Sequence, residues 1–529
     1  MSQDRRGTET ATVFGSPGWL LGVLLVLTFL GGAASLWKSF QLLSHQGDNT
    51  YPESTVVQIG LWAAQSGRLY PSLEQSPFTP APYAPLLYLS VAGLARLGWW
   101  DFLDLLRAGR LMVLVCFVIL VLLAYRWSRR AGMPATVALL SSSFLLSQAD
   151  FQEWNVSVRG DVVALLLTLL ALYTVNRSQT PKVTGAGWAG LCLGLALMFK
   201  QSYIAAPIAI GLWLLSYRRF RQFAGLVAGA ALPVVATLGW LWLRGEPVLQ
   251  QMLMFRSSTM RLSSGLALLK NDFLQYPAQA VLLCLALLGL RVAFAECPVR
   301  ARLLGLYFLL AWGTGVYTAT APGASVNAFL EGWLVCALLA TFGVRNMAEG
   351  WSSASETLRA AVLLLLLCLL GLGLDTWRQQ VAVGRPKGWA ELAAALKGRE
   401  LLSDLSYLAI QARNPELLDP SVNHYLELAG NWSPEPVLAR LEARKYDFVV
   451  LGLNRGRVQQ WRGVTLFSRP ILRKIEEHYE VSCLTPRLAV LIPRDDPRGS
   501  AGTLLRLVQA GCSPARAISP TQSVFSGTE

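Results

Sequence analysis

Long apolar runs separated by short basic turns fill the first three quarters of the chain. They fall at about 18–43, 83–98, 108–126, 134–149, 161–176, 185–199, 201–217, 223–243, 274–295, 302–320, 325–343 and 357–376. A helix needs about 20 residues to cross the hydrocarbon of a bilayer. These runs therefore read as a polytopic α-helical membrane protein with twelve candidate helices.

The charges decide which runs cross. If the first goes from inside to outside and 83–98 does not cross, the internal turns hold Arg126, Arg129 and Arg130, then Arg177 and Lys182, Arg218, Arg219 and Arg221, Arg300 and Arg302, and Arg345 and Arg359. Every short basic turn then lies inside, as the positive-inside rule requires. A crossing at 83–98 would turn them all outward. That run begins in a proline cluster, Pro77, Pro80, Pro82 and Pro85, which suits an interfacial or re-entrant helix. The reading is about eleven spans, with residues 1–17 a cytoplasmic tail and the C-terminus external. Met1 to Pro17 carries Arg5 and Arg6, but the apolar run after it exceeds a signal-peptide core and lacks a cleavage site, so it reads as an uncleaved first span.

Within the membrane region 18–376, the first external loop, 44–107, is long and patterned. Val57, Leu61 and Ala64 stand at helical spacing, as in a short helix lying on the membrane. The 244–273 loop carries Leu253, Met254 and Phe255 with Arg256, Arg261 and Lys270, a pattern for a flap over a lipid or for a plain surface helix. After Asp375 the pattern changes to helices at 389–396 and 434–445 alternating with strands at 400–404, 448–451 and 489–492. That alternation predicts a small extracytoplasmic α/β domain over 377–494. It has no Gly-rich phosphate loop, so no nucleotide site is assigned. Residues 495–529 are rich in Gly, Ser, Pro and Thr and read as a disordered tail.

Composition sharpens this picture. With 53% hydrophobic and 15% charged residues, the chain is unlike a string of soluble domains. Of its 18 Trp, several stand near run ends (Trp19, Trp37, Trp99, Trp100, Trp127, Trp154), where the ring anchors at headgroup level. The net charge of +14 raises the question of a nucleic-acid partner, but the Arg clusters sit in the turns that the topology already explains. Five of eight Cys (Cys116, Cys192, Cys284, Cys336, Cys368) fall in apolar runs, no CxxC occurs, and the three His (His45, His424, His478) are scattered. That excludes a zinc site of the usual spacing. Cys483 and Cys512 could both be external.

Candidate chemistry lies at the external ends of the runs. The stretch Gly47-Asp48-Asn49-Thr50-Tyr51-Pro52-Glu53 places two carboxylates at a membrane boundary, where an ionised group is kept in water, in a pair or in a polar cavity. Arg159 and Asp161 open one run, Lys200 and Gln201 interrupt another, and Asn327 and Glu331 start a third. Each has an ordinary alternative: Arg159 as an interfacial anchor, Asp161 as a helix cap, Lys200 snorkelling at a turn, Asn327 with Glu331 as a local pair. Their convergence on one face favours a shared site.

The series GDNTYPE, Gly67-Arg68-Leu69-Tyr70, Pro82-Tyr83-Ala84-Pro85-Leu86, Val158-Arg159-Gly160-Asp161, Phe199-Lys200-Gln201 and Gly323 to Glu331 resembles the GT-C superfamily of membrane glycosyltransferases over roughly 15–375. It looks most like the bacterial proteins similar to dolichyl- and polyprenyl-phosphate-mannose protein mannosyltransferases. The resemblance implies a hexosyltransferase of the bacterial cytoplasmic membrane, taking sugar from a polyprenyl-phosphate donor to a hydroxyl acceptor: a glycan, lipid or protein. It implies Asp48 as the general base, with inversion, and Glu53 orienting the acceptor or a divalent cation. Arg159, Lys200 and Arg256 would stabilise the departing lipid phosphate, with Asp161, Gln201, Asn327 and Glu331 in the same substrate site. Two carboxylates without His would take Mg²⁺ or Mn²⁺ through oxygen alone. The chain departs from many relatives in having Gly160 where they have Pro, and in lacking a basic residue before Pro85. A transporter or flippase would instead show internal repeats and polar groups at midplane; a non-catalytic assembly factor is the third alternative.

Overall fold

A computed structural model describes residues 17–45, 47–50, 53–73, 78–98, 101–176, 182–254, 260–276, 278–321, 324–350, 389–412, 418–454, 457–458, 460–461, 464–485, 487–494 and 513–514. In chain order the helices are α1 (Pro17–Leu43), α2 (Glu53–Ser66), α3 (Pro85–Arg96), α4 (Phe102–Arg130), α5 (Ala135–Ser147), α6 (Ala149–Trp154), α7 (Asp161–Val175), α8 (Val183–Phe199), α9 (Ala205–Ser216) and α10 (Phe220–Leu243). They continue with α11 (Val248–Met254), α12 (Leu262–Gln275), α13 (Ala278–Glu296), α14 (Pro298–Ala319), a 3-10 turn at Val326–Phe329 and α15 (Leu330–Gly350). The expected run at 357–376, the tail from 495 and Arg256 lie outside the described residues, except the short strand Ser513–Pro514.

The protein is a multi-pass membrane protein. Among the described residues, Phe102–Arg130, Phe220–Leu243, Gln279–Glu296 and Val326–Glu349 are long and apolar enough to cross a bilayer, and five shorter apolar helices accompany them. One stripe of α4 (Leu111, Val115, Val118, Leu122) is exposed while the opposite one (Val113, Phe117, Leu120, Ala124) is buried. A helix with apolar residues on both sides suits one face on its neighbours and one on lipid. α3 has 12 residues, about 18 Å of helix at 1.5 Å per residue. It packs on α2 and α4 with Leu87, Tyr88, Val91 and Ala95 buried.

Small residues set the closest helix approaches, since packing rather than water exclusion drives association in lipid. A side chain at Gly190 would strike the Leu226 carbonyl across the α8–α10 contact, and one at Gly289 would strike the Leu339 carbonyl across α13–α15. Of the Trp expected as interfacial anchors, Trp37 is exposed, but Trp127 and Trp154 are buried. The amphipathic ring there fills an internal gap instead of meeting headgroups.

Residues 389–494 carry a mixed sheet. Its strands are β1 (Leu401–Ser403), β2 (Phe448–Asn454), β3 (Arg457–Val458), β4 (Gln460–Trp461), β5 (Val464–Thr465), β6 (Tyr479–Leu484), β7 (Leu488–Pro493) and, further on, β8 (Ser513–Pro514). The order is β1-β2-β7-β6-β8, with β3 paired to β2 and β4 to β5 apart. β1 runs parallel to β2, Leu402 opposite Val449, while β7 is antiparallel to β2, Val450 opposite Val490. Period-2 alternation sends Phe448 and Val450 into one apolar cluster and Val449 and Leu451 into another, which is why β2 reads as a continuous apolar run.

The first of those clusters joins the sheet to the first loop. Val56, Val57, Tyr88 and Phe102 share it with Tyr407, Leu408 and Ile410 of the helix Ser406–Gln411. That helix was not foreseen, nor were Pro420–Leu428, Arg469–His478 and β6. A second tie is the bridge Phe78 to Leu418.

Gly289→Ala is expected to lower stability in detergent by about 1–3 kcal/mol, the cost of overpacking. Gly93 on α3 has open space around its Cα, so Gly93→Ala is expected to leave thermal unfolding unchanged or raise it. Equal melting shifts in both variants would contradict the close α13–α15 approach.

Candidate functional site

The first-loop carboxylates have different jobs. Glu53 opens α2, where a negative charge suits the exposed amides of a helix start. Its Oε2 accepts from Arg110 Nη2 at 2.7 Å and the Asn49 amide at 2.9 Å; its Oε1 accepts from Arg110 Nε at 3.0 Å and the Val158 amide at 2.8 Å. Both side chains are 0% exposed. Arg110, on α4, gives its remaining donors to the carbonyls of Leu42 at 3.1 Å, His45 at 2.5 Å and Gly47 at 2.5 Å. One ion pair thus ties together the end of α1, the loop, α2, α4 and the turn before α7.

Asp48 sits in the loop so fixed. Its Oδ1 accepts from the Ser54 amide at 2.8 Å and closely from the Ser54 hydroxyl. Among the described residues its Oδ2 has no hydrogen-bond partner. Burial, and next the neighbouring Glu53 charge, push its pKa up to about 7, against the opposing pull of Ser54 and Arg110. A carboxylate with that pKa, one oxygen of which has no partner among the described residues, is suited to taking a proton near neutrality.

The Val158 amide on Glu53 places Arg159 immediately beside this loop. The Arg159 guanidinium lies 4.7 Å from the Tyr83 ring centre and 5.0 Å from that of Trp154, which holds it by cation–π contact. Gly160 approaches the end of α8 so closely that any Cβ would strike the Phe199 carbonyl. This approach brings Asp161, the first residue of α7, to Lys200: Nζ is 3.1 Å from Asp161 Oδ1 and 5.4 Å from the Tyr83 ring centre. The departure at Gly160 noted in the sequence thus has a steric reason.

Behind Lys200 the cluster continues inward. Asn327 Nδ2 donates to Asp161 Oδ1 at 3.0 Å, Gln201 Nε2 to the Pro82 carbonyl at 2.8 Å, and the Tyr307 hydroxyl to Glu331 Oε1 at 3.3 Å. Asn327 and Glu331 are therefore not a local pair; each reaches a different helix. Sequence reasoning missed Arg110, Ser54, Tyr83 as a ring platform, Tyr203 and Tyr307. Arg110 alone left a signal: a charge inside an apolar run needs a buried partner.

Two further segments frame the site. Glu246 accepts from the Leu69 and Tyr70 amides at 2.7 and 3.0 Å, while Gln251, on α11, accepts from the Ala81 amide at 2.8 Å and donates to the Pro71 carbonyl at 2.5 Å. The loop after α10 is thereby stapled to the first loop. From the sheet region, Tyr407 packs against Phe102 with ring centres 6.2 Å apart and lies within electrostatic reach of Asp48 and Arg110.

Neither a family model nor any curated protein matches this chain. Solved structures do. ArnT from Cupriavidus metallidurans bound to undecaprenyl phosphate superposes with a TM-score of 0.57 at 14% identity, covering 90% of this chain and 98% of that one. The same protein in the apo state gives 0.55 at 14% identity, covering 90% and 97%. The apo Archaeoglobus fulgidus oligosaccharyltransferase gives 0.47 at 12% identity, covering 82% and 70%. The chain shares the fold of ArnT.

In this fold the first-loop carboxylates do not fit a divalent cation. Glu53 spends both oxygens on Arg110 and two amides, Asp48 has one spoken for, and no group of three His, Cys, Asp or Glu stands together among the described residues. Glu53, read from sequence as orienting acceptor or metal, is instead the buried counter-ion of Arg110.

Arg110→Met leaves the Glu53 charge buried and alone, at an expected cost of about 3–5 kcal/mol. Arg110→Met with Glu53→Met is expected to recover most of that stability in detergent melts without restoring activity. A double variant no more stable than the single one would contradict the pairing.

Proposed function

We propose that the chain is a glycosyltransferase that moves a sugar from a polyprenyl-phosphate carrier to a hydroxyl acceptor at the external face of the membrane. The observation that carries this reading is the placement of Asp48, half held by Ser54 and set by the Glu53–Val158 bond beside the cationic turn of Arg159. The shared fold with ArnT, whose structure holds undecaprenyl phosphate, supports it.

In the reaction, ionised Asp48 takes the proton of the acceptor hydroxyl as that oxygen attacks the anomeric carbon. The bond from that carbon to the phosphate oxygen breaks, and its electron pair stays on the lipid phosphate. Arg159 and Lys200 stabilise that charge, with Tyr83 holding both cations in place. A lipid phosphate is already a stabilised leaving group, so one base, two cations and positioning suffice. Attack opposite the phosphate inverts the anomeric centre. Asp161 serves by orienting Lys200, since a carboxylate does not itself attract a phosphate.

The site faces outward when the basic turns face inward, with 44–107 the first external loop and the sheet region 377–494 outside. Cys483 on β6 is disulfide-bonded, which supports an oxidising compartment for that region. The bacterial cytoplasmic membrane fits these features, and the wide match to ArnT of a bacterium agrees.

Transfer of radiolabelled sugar from a panel of polyprenyl-phosphate donors tests the reading. Asp48→Asn is expected to lose about 10²–10⁴-fold in rate at equal expression, the usual contribution of a general base. The wild-type rate is expected to rise with pH and level off above about 7, because below that value Asp48 keeps its proton. The same raised pKa makes stability fall as pH climbs from the ordinary carboxylate range to about 7, because the folded state holds the proton more tightly. No donor consumption by the wild type, or a rate flat through neutrality, would contradict the assignment.

A further inference from the structure

The polar cluster has two ends of opposite character. At one end Arg159 and Lys200 flank Tyr83. At the other, Glu331 accepts from the Tyr307 hydroxyl, while Asp161 accepts from Lys200 and Asn327. Between them stands Tyr203, 3% exposed, whose hydroxyl is buried and lacks a hydrogen-bond partner among the described residues. That hydroxyl lies within electrostatic reach of Asp161, Glu331 and Tyr307. Its amide donates to the Lys200 carbonyl at 3.1 Å, so cation and hydroxyl share one turn.

An unpaired buried hydroxyl costs about 1–3 kcal/mol, and this one has the Asp161 and Glu331 carboxyl groups within its electrostatic reach. Sugar hydroxyls, each donor and acceptor at once, satisfy both Tyr203 and Glu331.

We propose that Tyr203 and Glu331 form the subsite that reads the hydroxyl groups of the donor's sugar, next to the cations that read its phosphate. This rests on the glycosyltransferase reading above and adds which end of the donor each group recognises. Tyr203 here is a specificity residue: its loss acts on the glycosylated carrier and not on the bare one.

The test measures binding to protein in lipid nanodiscs of undecaprenyl phosphate, and of undecaprenyl phosphate carrying glucose, galactose, mannose or their N-acetyl forms. The wild type is expected to prefer at least one glycosylated carrier over the bare one. Tyr203→Phe, which keeps the ring and removes an unpaired hydroxyl, is expected to reduce that preference about ten-fold, the factor for 1.4 kcal/mol, with the bare-carrier Kd unchanged. Glu331→Gln is expected to shift the same ratio. A wild type that binds the bare carrier without preferring any glycosylated one, or variants that change both affinities by one factor or neither, would overturn the inference alone. A wild type that binds no carrier at all would overturn the proposed function and this inference with it.

Discussion

The site depends on the buried ion pair between Glu53 and Arg110. Taking both charges out of water costs several kcal/mol per ion, and attraction offsets this only when every remaining donor and acceptor is used. Here they are: Arg110 serves Glu53, the Leu42 carbonyl at the end of α1 and two loop carbonyls, and Glu53 serves two amides besides. Any other register of the first loop would leave a charge buried without its partners. The pair acts as a register device for the loop that holds Asp48.

From that pair the geometry passes along the chain of contacts to the rest of the site. The Val158 amide fixes the turn carrying Arg159, and the close approach of Gly160 to Phe199 fixes that turn against Lys200. Charge then changes sign along the contacts: Asp48 beside the Glu53–Arg110 pair at the loop, Arg159 and Lys200 on the Tyr83 ring, and Asp161 and Asn327 next to Lys200. The sheet region closes the assembly by packing Tyr407 and its helix on α2, the helix whose Ser54 holds Asp48. Under the proposed function, Asp48 supplies the base and Arg159 and Lys200 the cations that displacement at a phosphate-activated carbon requires.

The membrane class and the series of polar positions were legible in the sequence because both follow from local pattern: apolar run length, basic turns, and polar residues where the bilayer penalises them. The start of α3 at Pro85 was legible from its prolines, and β2 from its apolar run. The division of labour between Asp48 and Glu53 was not, because it depends on Arg110, 57 residues later, and on a backbone amide that no side-chain pattern reveals. Glu331 and Asn327 looked like neighbours four residues apart, yet each bonds across to another helix. The helix Arg469–His478 does carry Ile471, Leu472 and Ile475 on one buried face, a helical spacing diluted by surrounding charge. β6 was obscured by its part-exposed, irregular pattern and a bulge between Val481 and Cys483.

The central claim is that one lipid phosphate is held by Arg159 and Lys200 within reach of Asp48. A cryo-EM structure of the full chain in nanodiscs with undecaprenyl phosphate tests it most directly. The account predicts phosphate oxygens at hydrogen-bond distance from the Arg159 guanidinium and Lys200 Nζ, beside the Tyr83 ring, with Asp48 Oδ2 facing the same space. A phosphate seated elsewhere, with Lys200 still closed on Asp161 and Arg159 untouched, would contradict it.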